Sequence, residues 1–271
     1  MNAIVDRISQ PPRRGLRAAS GTAAAAYRTA LELRYQVYCI ECNFLSPDDY
    51  PDGVETDEHD DDAAHFYAFD ARDELVGYVR LIRPDGQSGF PIQRYCRIGV
   101  GAEALPPANQ AAEISRLMVR SDYRRRRGDR LSGVTASQNR AAFVGERRHE
   151  APQILLSLYR QMYAYCREHG IRYWYAAMER SLARSLARLD FAFDEIGPET
   201  DYYGPVSPYV ADLRVLESRL GRCRPELLQW LQRPEHAVET SDHVDDLGVC
   251  HISAANAVLL REDRARRIAI G

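Results

Sequence analysis

The first side chains that could do chemistry are three carboxylates in a turn-rich segment. Glu55, Asp57 and Asp60 follow one another at spacings of two and three residues, between Pro47 and Asp62. Carboxylates so spaced can hold an ammonium group or a cation, because an ionised carboxylate accepts hydrogen bonds at both oxygens. The three acids are therefore a candidate site for a positively charged substrate, with a solvated turn as the alternative.

An arginine stands in the middle of an apolar strand pattern. Residues 75–82 alternate as a β-strand, with Tyr78 and Arg80 predicted on one face and Val79 and Leu81 on the other. A guanidinium inside a core strand needs a partner, since an unpaired charge is costly to bury. We expect Arg80 either in a salt bridge or as the clamp on a substrate carboxylate.

A second strand, predicted over residues 113–119, carries two more charged side chains. Alternation along a strand places Glu113, Ser115 and Leu117 on one face and Ile114, Arg116 and Met118 on the other. Burial raises the pKa of a carboxylic acid, which would bring the pKa of Glu113 toward the range that is useful for a general base. Glu113 is thus a candidate base, with a paired structural role as the alternative.

The charge composition excludes several classes of enzyme. The 271-residue chain has a formal net charge of −3, and its 36 Lys and Arg positions are all arginine. A chain without lysine can form no Schiff base and no Walker-type phosphate loop, so aldolase-type, pyridoxal-phosphate and Walker-type chemistry are excluded. Nine acids lie between Asp48 and Asp62, and nine arginines lie between Arg120 and Arg148. Such segregation is typical of solvated loops and can also mark two binding surfaces.

The sequence favours a reducing compartment. Its six cysteines are irregularly spaced, and Asp6 and Arg7 interrupt the segment in which a signal peptide needs apolar residues. Apolar runs are far shorter than the roughly 20 residues of a membrane helix. We therefore expect a cytoplasmic protein without a transmembrane segment. Cys39 and Cys42 lie on a predicted helix with no second pair at a zinc-site spacing, so no metal site is expected.

The predicted elements mix helices and strands along the chain. Helices are predicted over 22–40, 152–169 and 181–189, and strands over 65–70, 75–82, 113–119, 171–177, 191–196 and 208–213. This order predicts an α+β fold with a mixed sheet flanked by helices. We expect a flexible N-terminal arm (1–20), a central domain (21–215) and a helical C-terminal extension (216–271), with Trp230 and Leu231 as anchors of the extension.

Four motifs, taken in order, resemble the acyl-homoserine-lactone-synthase-like branch of the GNAT acyltransferase superfamily. They are LRYQVY (33–38), ETDEHD (55–60), GYVRLIRP (77–84) and EISRL (113–117). The stretches RYQVYCIECNFLSP (34–47) and DYYGPVSPYVADL (201–213) are similar to the long-chain N-acyl amino acid synthases and to the acyltransferases associated with PEP-CTERM/exosortase systems. The resemblance covers about residues 25–215. It implies an α/β/α sandwich with a mixed, mainly antiparallel sheet whose central strands splay apart.

The resemblance also implies a role for each matching residue. The catalytic residues would be Glu113, Ser115 and Asp57, and the substrate would be bound by Arg34, Glu55, Asp60, Arg80 and Arg116. Asp57 and Asp60 would orient an ammonium group, while Arg80 or Arg34 would hold a carboxylate. The acyl and pantetheine groups would lie along Leu117, Met118 and Val119. The arginine-rich loop is a departure from the family pattern, and its charge, not the resemblance, predicts that an acidic acyl carrier protein docks on Arg124, Arg125, Arg126, Arg127 and Arg130.

The implied activity is that of an N-acyltransferase of the EC 2.3.1 type. It would move a long-chain fatty acyl group from an acyl carrier protein or CoA thioester to the primary amine of an amino acid or related molecule. The carrier protein is favoured over CoA, because the arginine-rich loop lacks a clear Gly-x-Gly phosphate turn. The acyl thioester is a co-substrate, and no tightly bound cofactor and no nucleic-acid partner are expected. A peripheral contact with a membrane is compatible with the sequence.

Two alternatives stay open at this point. A lactone synthase would use S-adenosylmethionine as the acceptor, but Phe44 lies near the position where such enzymes often carry a tryptophan. A non-catalytic module that binds a carrier protein or an acyl chain could use the same fold. The presence of Glu113, Ser115 and Arg116 argues against that module.

Overall fold

The protein is built on one mixed sheet with flanking helices. The computed structural model describes residues 16–17, 23–70, 72–84, 89–124, 151–233 and 249–251. The strands are β1 (Leu16–Arg17), β2 (Ala63–Asp70), β3 (Leu75–Ile82), β4 (Ala111–Val119), β5 (Tyr173–Met178), β6 (Asp194–Glu195), β7 (Thr200–Asp201), β8 (Pro205–Asp212) and β9 (Val249–His251). The helices are α1 (Ala23–Tyr35), α2 (Pro91–Tyr95), α3 (Ser121–Arg124), α4 (Ala151–Glu168), α5 (Arg180–Ala187), α6 (Leu213–Cys223) and α7 (Pro225–Gln232). A π-helical turn over Gln36–Glu41 continues α1.

The order of the strands confirms the predicted fold class. The sheet runs β1-β2-β3-β4-β5-β8-β6, with β7 paired to β8 and β9 paired to β2. Among the described pairs, β4 with β5 is parallel and all the others are antiparallel. A parallel pair needs a crossover connection, and α4 lies in the connection between these two strands. The fold is α+β, with a mixed and mainly antiparallel sheet.

The strands predicted over 65–70 and 75–82 are confirmed as β2 and β3, which pair as an antiparallel hairpin, and one side chain holds the turn between them. The carboxylate of Asp70 accepts hydrogen bonds from the backbone N–H groups of Arg72 (2.9 Å) and Glu74 (3.0 Å). Aspartate is favoured in turns because it can bond to the backbone in this way. The hairpin places Arg80 in the centre of the sheet, one strand away from Glu113.

β4 and β5 separate part-way along their length, as the predicted splay requires. They pair from Ala111 with Tyr173 to Ile114 with Ala176. Beyond this point β4 continues to Val119 along β3 alone. The edge of β4 that follows Ile114 therefore faces a gap on the side of β5.

A β-bulge at Arg116 bends β4 at the mouth of this gap. Tyr78 pairs with Met118 and Arg80 pairs with Ser115, so β4 has one residue more than β3 between these pairs. The φ angle of Arg116 is +54°, in the left-handed region that side chains other than glycine seldom adopt. An extra residue in one strand is the definition of a bulge, and bulges often lie beside active sites.

The bulge makes the predicted alternation wrong beyond Ser115. Arg116 joins Glu113 and Ser115 on the face toward α1, where it contacts Glu55. Leu117 packs instead with the apolar cluster under α4. The inserted residue shifts the parity of every side chain that follows it, because successive residues of a regular strand alternate between faces.

The helix α4 covers one face of the sheet and confirms the helix predicted over 152–169. Its residues Leu158 and Met162 are fully buried against the strands. At Gly77 of β3, an added Cβ would lie 2.6 Å from Cγ2 of Ile154, so only glycine allows this close approach. The helix α1 packs on the opposite face.

The two predicted anchors of the C-terminal part, Trp230 and Leu231 in α7, are both buried. The Trp230 ring lies under the guanidinium of Arg160 from α4, at 4.9 Å from the ring centroid. None of the described helices has the length and apolar character needed to cross a lipid bilayer.

Other predicted elements differ in extent. The strand predicted over 191–196 is only Asp194–Glu195. Leu16–Arg17, within the predicted arm, pairs with the end of β2. Val249–His251, within the predicted helical extension, also pairs with β2 as a strand.

Candidate active site

The gap between β4 and β5 is a cleft that passes through the sheet. Its cavity has a volume of about 100 Å³. Toward α1 the walls are polar and aromatic, and include Tyr38, Glu113, Ser115, Arg116, Tyr202 and Tyr203. Toward α4 they are mostly apolar, and include Ile114, Leu117, Tyr159, Met178 and Leu182. One opening therefore has a polar half and an apolar half.

Three arginines and three carboxylates form a single ion-pair network beside the polar half. Its members come from α1, from the loop before β2, from β3 and from β4, and are Arg34, Glu55, Asp57, Asp60, Arg80 and Arg116. The three positive and three negative charges balance. Five of the six residues are buried, and the side chain of Asp57 is 17% exposed. Asp57 is the member of the network that a solute can reach most easily.

Arg80 holds Asp57 with both ends of its guanidinium. Its Nη1 lies 2.6 Å from Oδ1 of Asp57, and its Nη2 lies 2.6 Å from Oδ2. The same Nη1 donates to Oδ1 of Asp60 at 2.5 Å, and Nη2 lies 3.4 Å from the hydroxyl of Ser115. Such a two-pronged pair fixes the orientation of a carboxylate as well as its position. Of the two roles expected for Arg80, a salt bridge or a clamp on a substrate carboxylate, the structure shows the salt bridge.

Arg116 is held in the same way by Glu55 and is enclosed by two aromatic rings. Its Nη2 lies 2.9 Å from Oε1 of Glu55 and its Nε lies 3.2 Å from Oε2, and Nη2 also reaches Oδ2 of Asp57 at 3.0 Å. The guanidinium carbon lies 4.7 Å from the ring centroid of Tyr38 and 5.1 Å from that of Tyr203. These contacts stabilise the unusual backbone conformation of the bulge.

Arg34 completes the network from the end of α1. It donates from Nε to Glu55 and from Nη1 to Asp60, both at 2.5 Å. Burial by itself would raise the pKa values of the three carboxyl groups, but the charges and hydrogen bonds of the arginines outweigh it and lower all three. The carboxylates are therefore ionised at neutral pH.

A buried histidine ties the acidic loop to β3. Nδ1 of His65 lies 2.7 Å from the hydroxyl of Tyr78, and Nε2 lies 3.0 Å from the backbone carbonyl oxygen of Asp60. Burial lowers the pKa of His65 to about 4, so the ring is neutral near pH 7. A neutral imidazole has one donor and one acceptor, which suits these two partners and fixes the start of β2 under the network.

Glu113 differs from the network carboxylates in its surroundings and in its proton affinity. It lines the cleft from the polar side, and its Oε2 accepts a hydrogen bond of 2.8 Å from the backbone N–H of Ile92 in α2. Burial raises the pKa of Glu113 to about 8, although the Ile92 N–H and the charges of Arg80 and Arg116 act in the opposite direction. A carboxyl group that titrates near neutral pH in a cleft can take up and release a proton during a reaction.

Most of the predicted site residues come together. The network unites the five predicted substrate-binding residues with Asp57, and both Glu113 and Ser115 line the cleft. Leu117 lines the apolar half, whereas Met118 and Val119 pack in hydrophobic clusters on opposite faces of the sheet. Arg124 ends α3, and the other predicted docking residues, Arg125, Arg126, Arg127 and Arg130, lie outside the described residues. The individual roles stay predictions.

Several cleft residues were not predicted. Tyr202 and Tyr203 lie in the stretch 201–213 that carries the closer family likeness, which is a signal that could have identified them. Tyr38 follows Arg34 by one helical turn and is part of the first motif. Ile92 contributes only its backbone N–H, and no side-chain pattern in the sequence could reveal that contact.

Comparisons with known proteins agree with the fold described above. Residues 33–133 match the family model described as an acetyltransferase (GNAT) domain. The solved structure of BjaI, described as a CoA-dependent acyl-homoserine lactone synthase with SAM and isopentyl-CoA, has a TM-score of 0.53 and 17% identity over 92% of this chain and 100% of its own. The fold is that of the GNAT acyltransferases. No curated protein matches the chain in sequence.

Two further solved structures share the GNAT fold. TofI, in a ternary complex with an inhibitor and MTA, has a TM-score of 0.51 and 17% identity over 74% of this chain and 95% of its own. FeeM, an N-acyl amino acid synthase from uncultured soil microbes, has a TM-score of 0.50 and 17% identity over 78% of this chain and 97% of its own. The domain match and the fold support an enzyme that transfers acyl groups. The closer likeness to PEP-CTERM/exosortase-associated enzymes stays a prediction.

Proposed function

We propose that this GNAT protein transfers an acyl group from a thioester to a primary amine, with Glu113 as the general base. The observation that carries the proposal is the position of Glu113, a carboxyl with a pKa of about 8, on the polar wall of the cleft between the splayed strands. A free α-amine has a pKa of roughly 7.7–8.0, so most of it is protonated at pH 7 and needs a base to become a nucleophile.

The reaction balances within the cleft. The amine nitrogen attacks the thioester carbonyl carbon, the C–N bond forms, and the C–S bond breaks. The proton lost by nitrogen moves to the Glu113 carboxylate, directly or through one water, and the departing thiolate takes up a proton. No covalent intermediate with the enzyme is required.

The free edge of β4 suits the thioester. Negative charge develops on the carbonyl oxygen during attack, and a backbone N–H aimed at that oxygen is worth about 10²–10³ in rate. The N–H groups of β4 beyond Ile114 are candidates for this role, because β5 no longer pairs with the strand there. The bulge at Arg116 turns the backbone at this same point. We assign the pantetheine arm to this edge and the acyl group to the apolar half of the cleft.

The acceptor amine would meet Asp57 first. Asp57 is the most exposed carboxylate of the network. Nη2 of Arg80, which binds Asp57, also lies 3.4 Å from the hydroxyl of Ser115. Arg34 and Arg80 already bind carboxylates and are almost fully buried. We therefore assign these two arginines to the positioning of Asp57 and Asp60, rather than to direct contact with an acceptor carboxylate.

The acyl donor is either CoA or an acyl carrier protein. BjaI is described as CoA-dependent and with isopentyl-CoA, which supports CoA. The segment 120–148, with nine arginines, supports an acidic carrier protein, since opposite charges accelerate docking. Both donors end in the same pantetheine thioester, so the proposed chemistry in the cleft is the same.

Lactone formation is the second candidate. Its support is the likeness in fold to BjaI, a lactone synthase described with SAM. The likeness to FeeM supports an amino acid acceptor in the same way. Mass spectrometry of the product separates the two. An N-acyl amino acid contains the acyl group and the whole amino acid residue, whereas a lactone lacks the methylthioadenosine part of S-adenosylmethionine.

The experiment that tests the proposal compares product formation by the wild type and by Glu113→Gln, with acyl-CoA and acyl carrier protein as donors and amino acids or S-adenosylmethionine as acceptors. Glu113→Gln is expected to lower turnover by about 10²–10⁴-fold. Donor binding should be almost unchanged, since the amide keeps the shape of the side chain. Glu103→Gln, on an exposed turn away from the cleft, is the matched control. Near-normal turnover by Glu113→Gln would remove Glu113 from the mechanism.

A further inference from the structure

One side-chain contact joins the two parts of the sheet at the place where they separate. Arg116 lies on β4, which pairs with β3, and Tyr203 lies in the turn between β7 and β8. The strand β8 belongs to the other part, because it pairs with β5. The guanidinium carbon of Arg116 lies 5.1 Å from the centroid of the Tyr203 ring, and both residues line the cleft. Beyond Ile114, β4 and β5 no longer pair, so this contact replaces backbone pairing there.

Both residues of the contact have an unusual backbone conformation. The φ angle is +54° at Arg116 and +55° at Tyr203, in the left-handed region. Among the described residues, the other non-glycine residues with a positive φ are asparagine or aspartate, which adopt this conformation more readily. Residues strained in this way persist where the surrounding structure holds them, and they cluster at functional sites. Two of them in direct contact indicate that each one stabilises the other.

We propose that Tyr203 is a positioning residue for acyl transfer. Through Arg116 it would hold the bulge of β4 in the conformation that turns the free N–H groups of this strand toward the cleft. The inference rests on the proposed function, which assigns these N–H groups to the thioester carbonyl. The aromatic ring and not the hydroxyl would carry the effect, because a guanidinium is attracted to the face of a ring.

The ring of Tyr203 is itself held in one arrangement. It meets the ring of Tyr38 edge-on, with centroids 5.5 Å apart, and its centroid lies 6.2 Å from that of Phe44. The backbone N–H of Tyr202 closes the turn by donating to the carbonyl oxygen of Gly204 at 2.9 Å. At Gly204 the φ angle is +96° and an added Cβ would lie 3.3 Å from Cζ of Phe44, so the turn requires glycine.

Tyr203 holds the bulge from a side on which it has no other described support. The guanidinium of Arg116 is bound by Glu55 and Asp57 of the loop before β2, and it lies 4.7 Å from the ring centroid of Tyr38. Among the described contacts of this guanidinium, the one with Tyr203 alone comes from the part of the sheet that contains β5. Without it, the bulge could move relative to Glu113, and a misplacement of about 1 Å can lower a rate by roughly 10²-fold.

The test compares Tyr203→Leu, which removes the ring, with Tyr203→Phe, which keeps it. The value of kcat is expressed per site that binds a non-reacting pantetheine thioether, so unfolded molecules are not counted. In Tyr203→Leu we expect kcat per site to fall by about 10–100-fold, with the KM values for thioester and amine nearly unchanged. Tyr203→Phe should keep the wild-type kcat. A merely structural role would lower the number of binding sites and leave kcat per site unchanged.

A matched control and a second variant accompany this comparison. Tyr173 also lies beside a guanidinium, that of Arg214 at 5.6 Å, but it does not line the cleft. Tyr173→Leu should therefore leave kcat per site unchanged. Phe44→Leu covers the case in which Tyr203→Leu does not fold, since it loosens the Tyr203 ring and leaves both partners of the cation–π contact in place. It should lower kcat per site by roughly 2–10-fold.

Hydrogen exchange tests the contact without any reaction. In Tyr203→Leu the amides of residues 115–119 that pair with β3 should exchange roughly 2–30-fold faster, the range that a cation–π contact contributes. Tyr203→Phe should exchange like the wild type. Unchanged kcat per site or unchanged exchange in folded Tyr203→Leu would overturn the inference, and so would an equal loss of kcat in Tyr203→Phe. A wild type that transfers no acyl group to any amine would overturn the proposed function, and the exchange experiment would still report on the contact.

Discussion

The backbone N–H of Ile92 donates a hydrogen bond of 2.8 Å to Oε2 of Glu113. This contact favours the ionised form of the carboxyl, yet burial outweighs it and the pKa rises to about 8. The short helix α2 thus holds the side chain in one orientation without removing its ability to bind a proton. A general base needs both properties, namely a fixed position and a pKa near the working pH.

The raised pKa of Glu113 makes stability depend on pH. Its ordinary value is 4.5, so the folded state binds the proton more tightly than the unfolded state does. The resulting stabilisation is complete below about pH 4.5 and is lost as the pH rises through about 8. Urea unfolding between pH 6 and pH 9 should show a loss of roughly 1 kcal/mol per pH unit from this group.

Glu113→Gln should remove that slope, because glutamine does not titrate. The variant should therefore gain stability relative to the wild type as the pH rises toward 8. Equal pH dependence of the two proteins would mean that Glu113 is already ionised in the folded state at neutral pH.

Arg34 should be among the most sensitive positions for stability. Arg34→Ala would leave Glu55 and Asp60 without one of their partners in a buried site, at a cost of about 3–5 kcal/mol. Arg28→Ala is the matched control on the same helix, since Arg28 pairs with Glu32 in an exposed position. That change should cost less than about 1 kcal/mol.

Denaturant midpoints of the two arginine variants provide the comparison. A small and equal loss in both would show that the network contributes little to the folded state. A large loss in Arg34→Ala alone would agree with a neutral, buried network of three arginines and three carboxylates.

Asp57 should affect the acceptor more than the donor. Asp57→Asn keeps the size of the side chain but removes the charge that would attract an ammonium group. We expect the KM for the amine to rise by about ten- to hundred-fold, with the KM for the thioester nearly unchanged, since a charge-assisted hydrogen bond contributes about 1.5–3 kcal/mol. If Asp57 had a purely structural role, Asp57→Asn would instead lower kcat and leave the KM values for both the thioester and the amine unchanged.

The control for this change is Glu58→Gln. Glu58 lies in the same loop but is exposed, and its described partner is His59 at 3.5 Å. Its removal should leave both KM values unchanged. Equal effects of the two substitutions would point to the loop as a whole and not to Asp57.

Much of the fold follows from local sequence. The hairpin of β2 and β3 has alternating strands, and Asp70 supplies a turn that its own carboxylate stabilises. The helix α4 has an apolar face at helical spacing, and Trp230 and Leu231 are the large apolar residues of the last described helix. In each case the information lies within a few neighbouring residues, where periodicity and turn preferences act.

The details of the candidate site depend on contacts that are distant in sequence. The bulge at Arg116 breaks the regular alternation, and a positive φ at an arginine has no sequence signal. Sequence predicted a partner for Arg80 but not the choice of Asp57 and Asp60, which lie 20 or more residues away. The hydrogen bond from Ile92 to Glu113 comes from the backbone, so residue types do not report it.

The most direct test of the role of Glu113 is the pH profile of kcat/KM for acyl transfer, measured with two acceptor amines whose own pKa values differ. For the wild type we expect one limb that follows the amine and a second limb, near pH 8, that stays fixed when the amine is changed. In Glu113→Gln the fixed limb should vanish and the rate should fall by about 10²–10⁴-fold. A wild-type profile that follows only the amine, together with an unchanged rate in the variant, would contradict general-base catalysis by Glu113.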